Sequence, residues 1–175
     1  LKWDHDGFPR NSQHPVTCLS GYDVIAYCEW RTQEDEKYEY RLPTAAEWQF
    51  AAGMTATRQY DFPEGTASEF TNLQDKSLQA FGKGPAVADF DDGFAVTAPV
   101  NAKPATASGF VFLHGNISEI VLPVTEVNPE LMKDYVLIVG GDFYSTMDEA
   151  KLKNQTHRHK VASSALTGFR LVRLA

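Results

Sequence analysis

The sequence predicts an α+β domain with much coil, in which helices are the minority. Three observations carry this expectation. Two short segments bear helix-capping signatures. Three apolar runs are rich in β-branched and aromatic residues. Across residues 54–109, Gly, Pro, Asn and Asp recur every few positions and helical periodicity is lost. The chain has 175 residues, 43% hydrophobic and 22% charged, which suits one domain with a sizeable core and excludes wholesale disorder.

The first helix is expected over about 21–32, GYDVIAYCEWRT. Ser20 is its N-cap, and Asp23 completes a capping box. Val24, Ile25, Tyr27 and Cys28 give it a wide buried face. The charged stretch RTQEDEKYEYR reads as a solvated loop leading into a short strand. The second helix is expected over about 44–53, TAAEWQFAAG, with Thr44 and Glu47 as its capping box and Gly53 as its C′ stop. Leu42, Trp48 and Phe50 form its aromatic face, expected in the core. The strand-like runs are 110–113, 134–139 and 168–174. A loop as long as 54–109 is usually functional or held by a ligand.

Sixteen Lys and Arg against 23 Asp and Glu give a net charge of −7, which argues against a nucleic-acid partner. No apolar run reaches the roughly 18 residues of a membrane span. Two cysteines, Cys18 and Cys28, are too few for a disulfide scaffold and are not spaced as CxxC. Both read as small hydrophobes, with a disulfide between them left open. Asn116-Ile-Ser and Asn154-Gln-Thr match the glycosylation sequon, the first within a segment expected to be packed.

Five segments in order carry a family resemblance: HPVTCLSGYDVIAYCEW (14–30), YRLPTAAEWQFAAG (40–53), GFVFLHGNISEI (109–120), VGGDFYS (139–145) and TGFRLVR (167–173). Together they resemble the formylglycine-generating enzyme, or sulfatase-modifying-factor, family. Its matching stretches read P-V-x-x-V-S-W-x-D-A-x-A-Y-C-x-W, R-L-P-T-E-A-E-W-E-x-A-A, G-N-x-W-E-W, R-G-G-S-W and G-F-R. The resemblance covers nearly the whole chain. It implies an irregular C-type-lectin-like fold with two short helices, short antiparallel strands and much coil, as a single domain over 1–175. It also implies that the family's first strands lie elsewhere in a longer protein or on a partner chain, and that the location is extracytoplasmic, periplasmic or secreted.

The family's converting enzymes oxidise a substrate cysteine with a copper-binding cysteine pair between the G-G-S-W and G-F-R segments. Here that interval, 142–167, contains no cysteine. Thiolate is the soft ligand that selects Cu(I), so formylglycine-generating activity is not expected. The resemblance instead implies a calcium ion held by the Asn72 side chain, the Leu73 carbonyl, the Asp92 side chain and the Phe94 carbonyl, a set of hard oxygens that suits calcium. Asp92-Gly93 would supply the turn. The family's second calcium site is damaged. Phe112 stands at a ligand position, Ser118 and Ile120 replace the two Trp, and Glu119 is expected to be a hydrogen-bonded structural carboxylate. Val139 replaces the Arg of R-G-G.

The expected function is therefore a non-catalytic, calcium-stabilised binding or assembly module within a larger protein or complex. Segments 142–166 and 121–133 are its candidate protein-binding surfaces. The alternative is a non-haem iron or copper oxidoreductase using His157 and His159, an H-x-H that a strand would point to one face. A third ligand would come from His114, His14 or Asp142. The plainer reading of these histidines is a surface patch with Lys151, Lys153, Arg158 and Lys160.

Overall fold

A computed structural model describes residues 2–3, 7–8, 11–82, 84–85, 87–123 and 133–175. The chain runs α1 (Gly21–Glu34), β1 (Glu39–Arg41), α2 (Ala45–Ala51), α3 (Ala67–Phe70), α4 (Lys76–Ala80), β2 (Ser118–Val121), β3 (Tyr135–Val139), β4 (Gln155–His159), β5 (Thr167–Gly168) and β6 (Val172–Leu174). This is the expected α+β architecture with short elements and much coil.

Both capping boxes form. Ser20 Oγ accepts the Asp23 N–H at 3.1 Å, and Asp23 returns a carboxylate to the Ser20 N–H at 2.8 Å. Thr44 and Glu47 do the same for α2, and Arg41 adds a bidentate grip on Glu47 at 2.7 and 2.6 Å. These bonds satisfy N-terminal donors that a helix cannot satisfy itself. Arg41 and the Thr44 N–H hold the Glu47 carboxyl down at about 2. Gly53 closes α2 at φ +67°, the left-handed conformation that suits glycine.

A four-stranded sheet in the order β4-β3-β2-β5 is the frame. β3 runs antiparallel to both β4 and β2, while β5 joins β2 in parallel. β1 and β6 form a separate antiparallel pair. β2 and β3 are buried on both faces, because a helix covers each. Ile120, Val136 and Ile138 pack with Val24 and Cys28 of α1. Val121, Leu137 and Val139 pack with Ala45 and Trp48 of α2. Alternation along β3 thus distributes its side chains between the two helices. A third cluster of Leu78, Val96 and Phe143 anchors α4.

Several expectations need correction. Phe50 is 87% exposed, whereas Trp48 is 2% exposed. Residues two apart on a helix point to nearly opposite sides, so only one of the pair reaches the core. Phe50→Ala is expected to change stability by no more than about 0.5 kcal/mol, read as a urea-unfolding midpoint. Tyr27 is 41% exposed and packs on Trp30 and Phe169 at the surface instead of joining the buried face of α1. Run 110–113 is not a strand. Phe112 adopts φ +52°, which breaks the extended backbone, and the strand begins at Ser118. Run 168–174 divides into β5 and β6.

Candidate functional site

The residues expected to hold calcium meet in one knot beside α4. Asp92 is 4% exposed. Its Oδ2 accepts the Leu73 N–H at 2.8 Å and its Oδ1 the Phe94 N–H at 3.0 Å. The Asp92 N–H donates to Asp75 Oδ2 at 2.5 Å, and Asp75 Oδ1 caps α4 by accepting the Ser77 and Leu78 N–H groups. Burial pushes the Asp92 carboxyl up to about 7, and the neighbouring Asp75 charge adds to the shift. Gly93 sits at φ +89°, completing the expected turn.

Asn72 is fully buried, and its neighbours fix the orientation of its amide. Asn116 exchanges two bonds with Ala98, its Oδ1 accepting the N–H at 2.7 Å and its Nδ2 donating to the carbonyl at 3.2 Å. Asn72 Nδ2 must therefore donate to Asn116 Oδ1, at 3.1 Å, and also to the Val96 carbonyl, at 2.8 Å. That leaves Asn72 Oδ1 as a buried acceptor with no hydrogen-bond partner among the described residues. A buried orphan of this kind is costly and calls for a partner. An amide oxygen and a buried carboxylate are hard donors of the kind that calcium takes.

Sequence reasoning gives no signal for Lys103, which joins the same knot. Its ammonium donates to the Asp92 carbonyl at 2.6 Å and the Ser68 carbonyl at 2.7 Å, over the Phe94 ring. A lysine in a polar loop looks solvated until the fold brings two carbonyls to it.

The raised Asp92 carboxyl makes a pH prediction for the metal-free protein. An acid at about 7 when folded, against an ordinary 3.8, holds its proton more tightly in the folded state. Its contribution is present at low pH and is lost as pH rises from about 4 toward 7. With a chelator present, the wild type is expected to lose stability relative to Asp92→Asn across that window. A pH-independent difference in urea midpoints would contradict the assignment.

A second knot forms around Glu119, where the resemblance implies a damaged metal site. Glu119 is 5% exposed and accepts Trp48 Nε1–H at 2.7 Å and Arg170 Nε–H at 2.6 Å, with a further short bond from Arg170 Nη2. It is the structural carboxylate expected from the sequence. Arg170 also donates to the Val111 carbonyl at 3.2 Å.

β4 does carry His157 and His159 on one face, opposite Leu137 and Tyr135. None of the expected third ligands joins them. His114 is buried with both nitrogens engaged, Nε2 accepting the Asp61 N–H at 3.0 Å and Nδ1 bonded to the Ala150 carbonyl at 2.7 Å. Burial lowers its pKa, in keeping with a neutral ring. His14 Nδ1 lies 3.0 Å from Thr97 Oγ1. Asp142 lines a cleft with Thr156 and Arg158, the β4 residues that alternate with the two histidines. Among the described residues, no three His, Cys, Asp or Glu side chains are grouped to hold a metal ion.

The expected basic patch also breaks up. Lys151 pairs with Asp148 at 2.6 Å, Lys160 donates to the Lys133 carbonyl at 2.5 Å, and Arg158 turns inward onto Thr167 Oγ1 at 2.7 Å. Cys18 and Cys28 are free thiols, the second raised in pKa by burial. Asn116 of the first sequon is 2% exposed. Of the two candidate recognition segments, 142–166 is fully described, whereas 124–132 of the other lies outside the described residues. Among the described residues, no helix is long and apolar enough to cross a membrane.

Comparison with known proteins gives one consistent answer. The model of the sulfatase-modifying factor enzyme 1-like domain matches residues 2–175. The chain is 32% identical over 122 residues to the formylglycine-generating enzyme of Mus musculus, covering 67% of this chain and 30% of that protein. It is 35% identical over 115 residues to the inactive C-alpha-formylglycine-generating enzyme 2 of Bos taurus, covering 65% of this chain and 34% of the relative. The chain thus spans about a third of these relatives' length. Among solved structures, PvdO from Pseudomonas aeruginosa superposes with a TM-score of 0.73 at 22% identity, over 95% of this chain and 64% of that one. Treponema denticola variable protein 1 gives 0.70 at 15% identity, over 95% and 74%. These two likenesses speak for the fold alone.

Proposed function

The chain belongs to the sulfatase-modifying factor enzyme 1-like family, and from that membership we propose that it is a non-catalytic binding or assembly domain stabilised by one calcium ion. The observation that carries this reading is the cysteine-free interval 142–167, where the resemblance places the copper-binding pair. Cys28 lies on the buried face of α1, and the two cysteines of the chain lie outside that interval. A relative named as inactive supports a family that also contains members without the converting activity. Given a cysteine-containing peptide, copper and oxygen, the protein is expected to leave the thiol unchanged. Its oxidation to an aldehyde would overturn the reading.

Calcium is assigned to Asn72 Oδ1, the Leu73 carbonyl, the Asp92 carboxylate and the Phe94 carbonyl. Support comes from the orphaned Asn72 oxygen and from the contacts that join Leu73 and Phe94 to Asp92. When bound, the ion would supply the divalent charge that cross-links two parts of a long irregular segment. A proton on Asp92 competes with the metal, so calcium affinity is expected to fall as pH drops below about 7. Isothermal titration on either side of that pH checks this, and an affinity that rises on acidification would contradict it. The redox alternative on His157 and His159 gains no third ligand and is not carried forward. Placement outside the cytoplasm belongs to the same proposal and rests on the family alone. Recognition of a protein partner is assigned to segment 142–166, which the sheet presents as a turn followed by the edge strand β4.

A further inference from the structure

Segment 142–166 folds around a cleft of about 240 Å³ lined by Ser118, Asp142, Ser145, Glu149, Asn154 and Arg158, among others. Its walls carry opposite charges that form no ion pair with one another among the described residues. On one side, Arg158 is half-buried at the edge strand. One of its nitrogens donates to Thr167 Oγ1 at 2.7 Å, and Thr167 is itself 2.9 Å from Ser118 Oγ. Arg158 takes no part in the ion pairs formed among the described residues. The guanidinium is thus held by one hydroxyl, with further N–H donors available. Burial lowers its pKa, and the charge of Asp142 opposes that shift.

On the other side, Asp142 Oδ1 accepts the Tyr144 N–H at 3.0 Å and lies 3.5 Å from Ser145 Oγ. Its second oxygen has no hydrogen-bond partner among the described residues, and burial raises the carboxyl pKa. Glu149 caps its own turn through Oε2, which accepts from the Thr146 N–H and hydroxyl at 2.8 and 2.9 Å. A guanidinium and two carboxylates therefore line one cleft without pairing. Arg158 and Asp142 are partly desolvated and unpaired, whereas Glu149 is exposed, and the cost of the first two is one that a ligand of complementary charge can offset.

The ligand chemistry follows from that pattern. A simple anion would meet Arg158 but be repelled by Asp142 and Glu149. A simple cation would meet the carboxylates but be repelled by Arg158. A small molecule bearing both charges satisfies each wall. The volume is below the roughly 300–1,000 Å³ of sites for drug-sized molecules, so the ligand is small. We propose that this cleft binds a free α-amino acid, its carboxylate on the Arg158 guanidinium and its ammonium against Asp142 and Glu149. Arg–carboxylate contacts are commonly bidentate and charge-assisted, which suits this orientation. The proposal goes beyond the reading of 142–166 as a protein-binding segment by adding a small-molecule site within it, and rests on that segment being the recognition surface.

Isothermal titration of the intact chain with the standard α-amino acids, at millimolar concentration, tests it. At least one is expected to bind at one per chain. Its N-acetyl derivative, which lacks the ammonium, and its methyl ester, which lacks the carboxylate, are each expected to bind at least about tenfold more weakly. Arg158→Met and Asp142→Asn are expected to abolish binding while leaving calcium stoichiometry at the wild-type value. The derivatives are tested on the wild type, so the result does not depend on either variant folding. No binding by any of these acids would overturn the proposal. So would an N-acetyl derivative that binds as well as its parent, or binding that survives both substitutions. Failure of the broader non-catalytic reading would show separately, as oxidation of the cysteine peptide.

Discussion

Arg170→Ala is expected to destabilise the fold by about 3–5 kcal/mol, the usual cost of removing one partner from a buried ion pair. Glu119 is the reason. Its side chain is 7% exposed, and Arg170 and Trp48 Nε1 together hold its carboxylate. Without the guanidinium, a buried negative charge keeps one neutral donor and is left otherwise unpaired. The site also joins distant parts of the chain, since Trp48 comes from α2, Glu119 from β2 and Arg170 from the short segment between β5 and β6. A double variant, Arg170→Leu with Glu119→Leu, removes both charges and is expected to recover much of the loss. Urea unfolding of the wild type and the variants measures all of this. A loss below about 1 kcal/mol in Arg170→Ala would mean that the pair behaves like an exposed surface contact.

Gly115→Ala is expected to prevent accumulation of folded protein or to cost several kcal/mol. A Cβ at Gly115 would fall 2.0 Å from the Asn72 carbonyl oxygen and 2.7 Å from its carbon. Those atoms cannot simply move away, because the same oxygen accepts the Asn116 N–H at 2.7 Å. Gly115 also has φ +80°, which a residue with a Cβ resists. Gly65 provides the control, with φ +81° and no atom within 4 Å of its notional Cβ. Gly65→Ala should therefore show the backbone term alone, about 1–2 kcal/mol. Soluble yield and unfolding midpoints of the two variants separate close approach from conformational preference. Equal effects at the two positions would contradict the role given to the Asn72 contact.

Much of the frame was legible in the sequence because local chemistry dictates it. Ser20 with Asp23 and Thr44 with Glu47 specify helix starts within a few residues, and those starts form as read. The apolar run that becomes β3 is buried on both faces and needs no longer-range information. What was not legible depends on distant partners. QTHRH has no alternation of apolar residues, yet it becomes a strand because β3 offers it an edge. α3 and α4 are single turns without helical periodicity, and the Asp75 cap of α4 is tied to Asp92 across the loop. Phe50 and Tyr27 resemble core residues by type, and only the direction of each helix face shows them outside. At the candidate site, Asn72 and Asp92 came from the family resemblance. Lys103 and the inward turn of Arg158 required the fold.

We propose that this domain binds a single calcium ion and no redox metal. Elemental analysis after dialysis against mixed calcium, copper and iron tests it most directly. About one calcium per chain with no retained copper or iron is expected, with calcium lost in Asp92→Ala and in Asn72→Ala and kept in His157→Ala. Asn72→Ala removes the orphaned oxygen without touching the Asp92 carboxylate, so it remains informative if Asp92→Ala fails to fold. Stoichiometric copper or iron, or calcium retained by both variants, would contradict the claim.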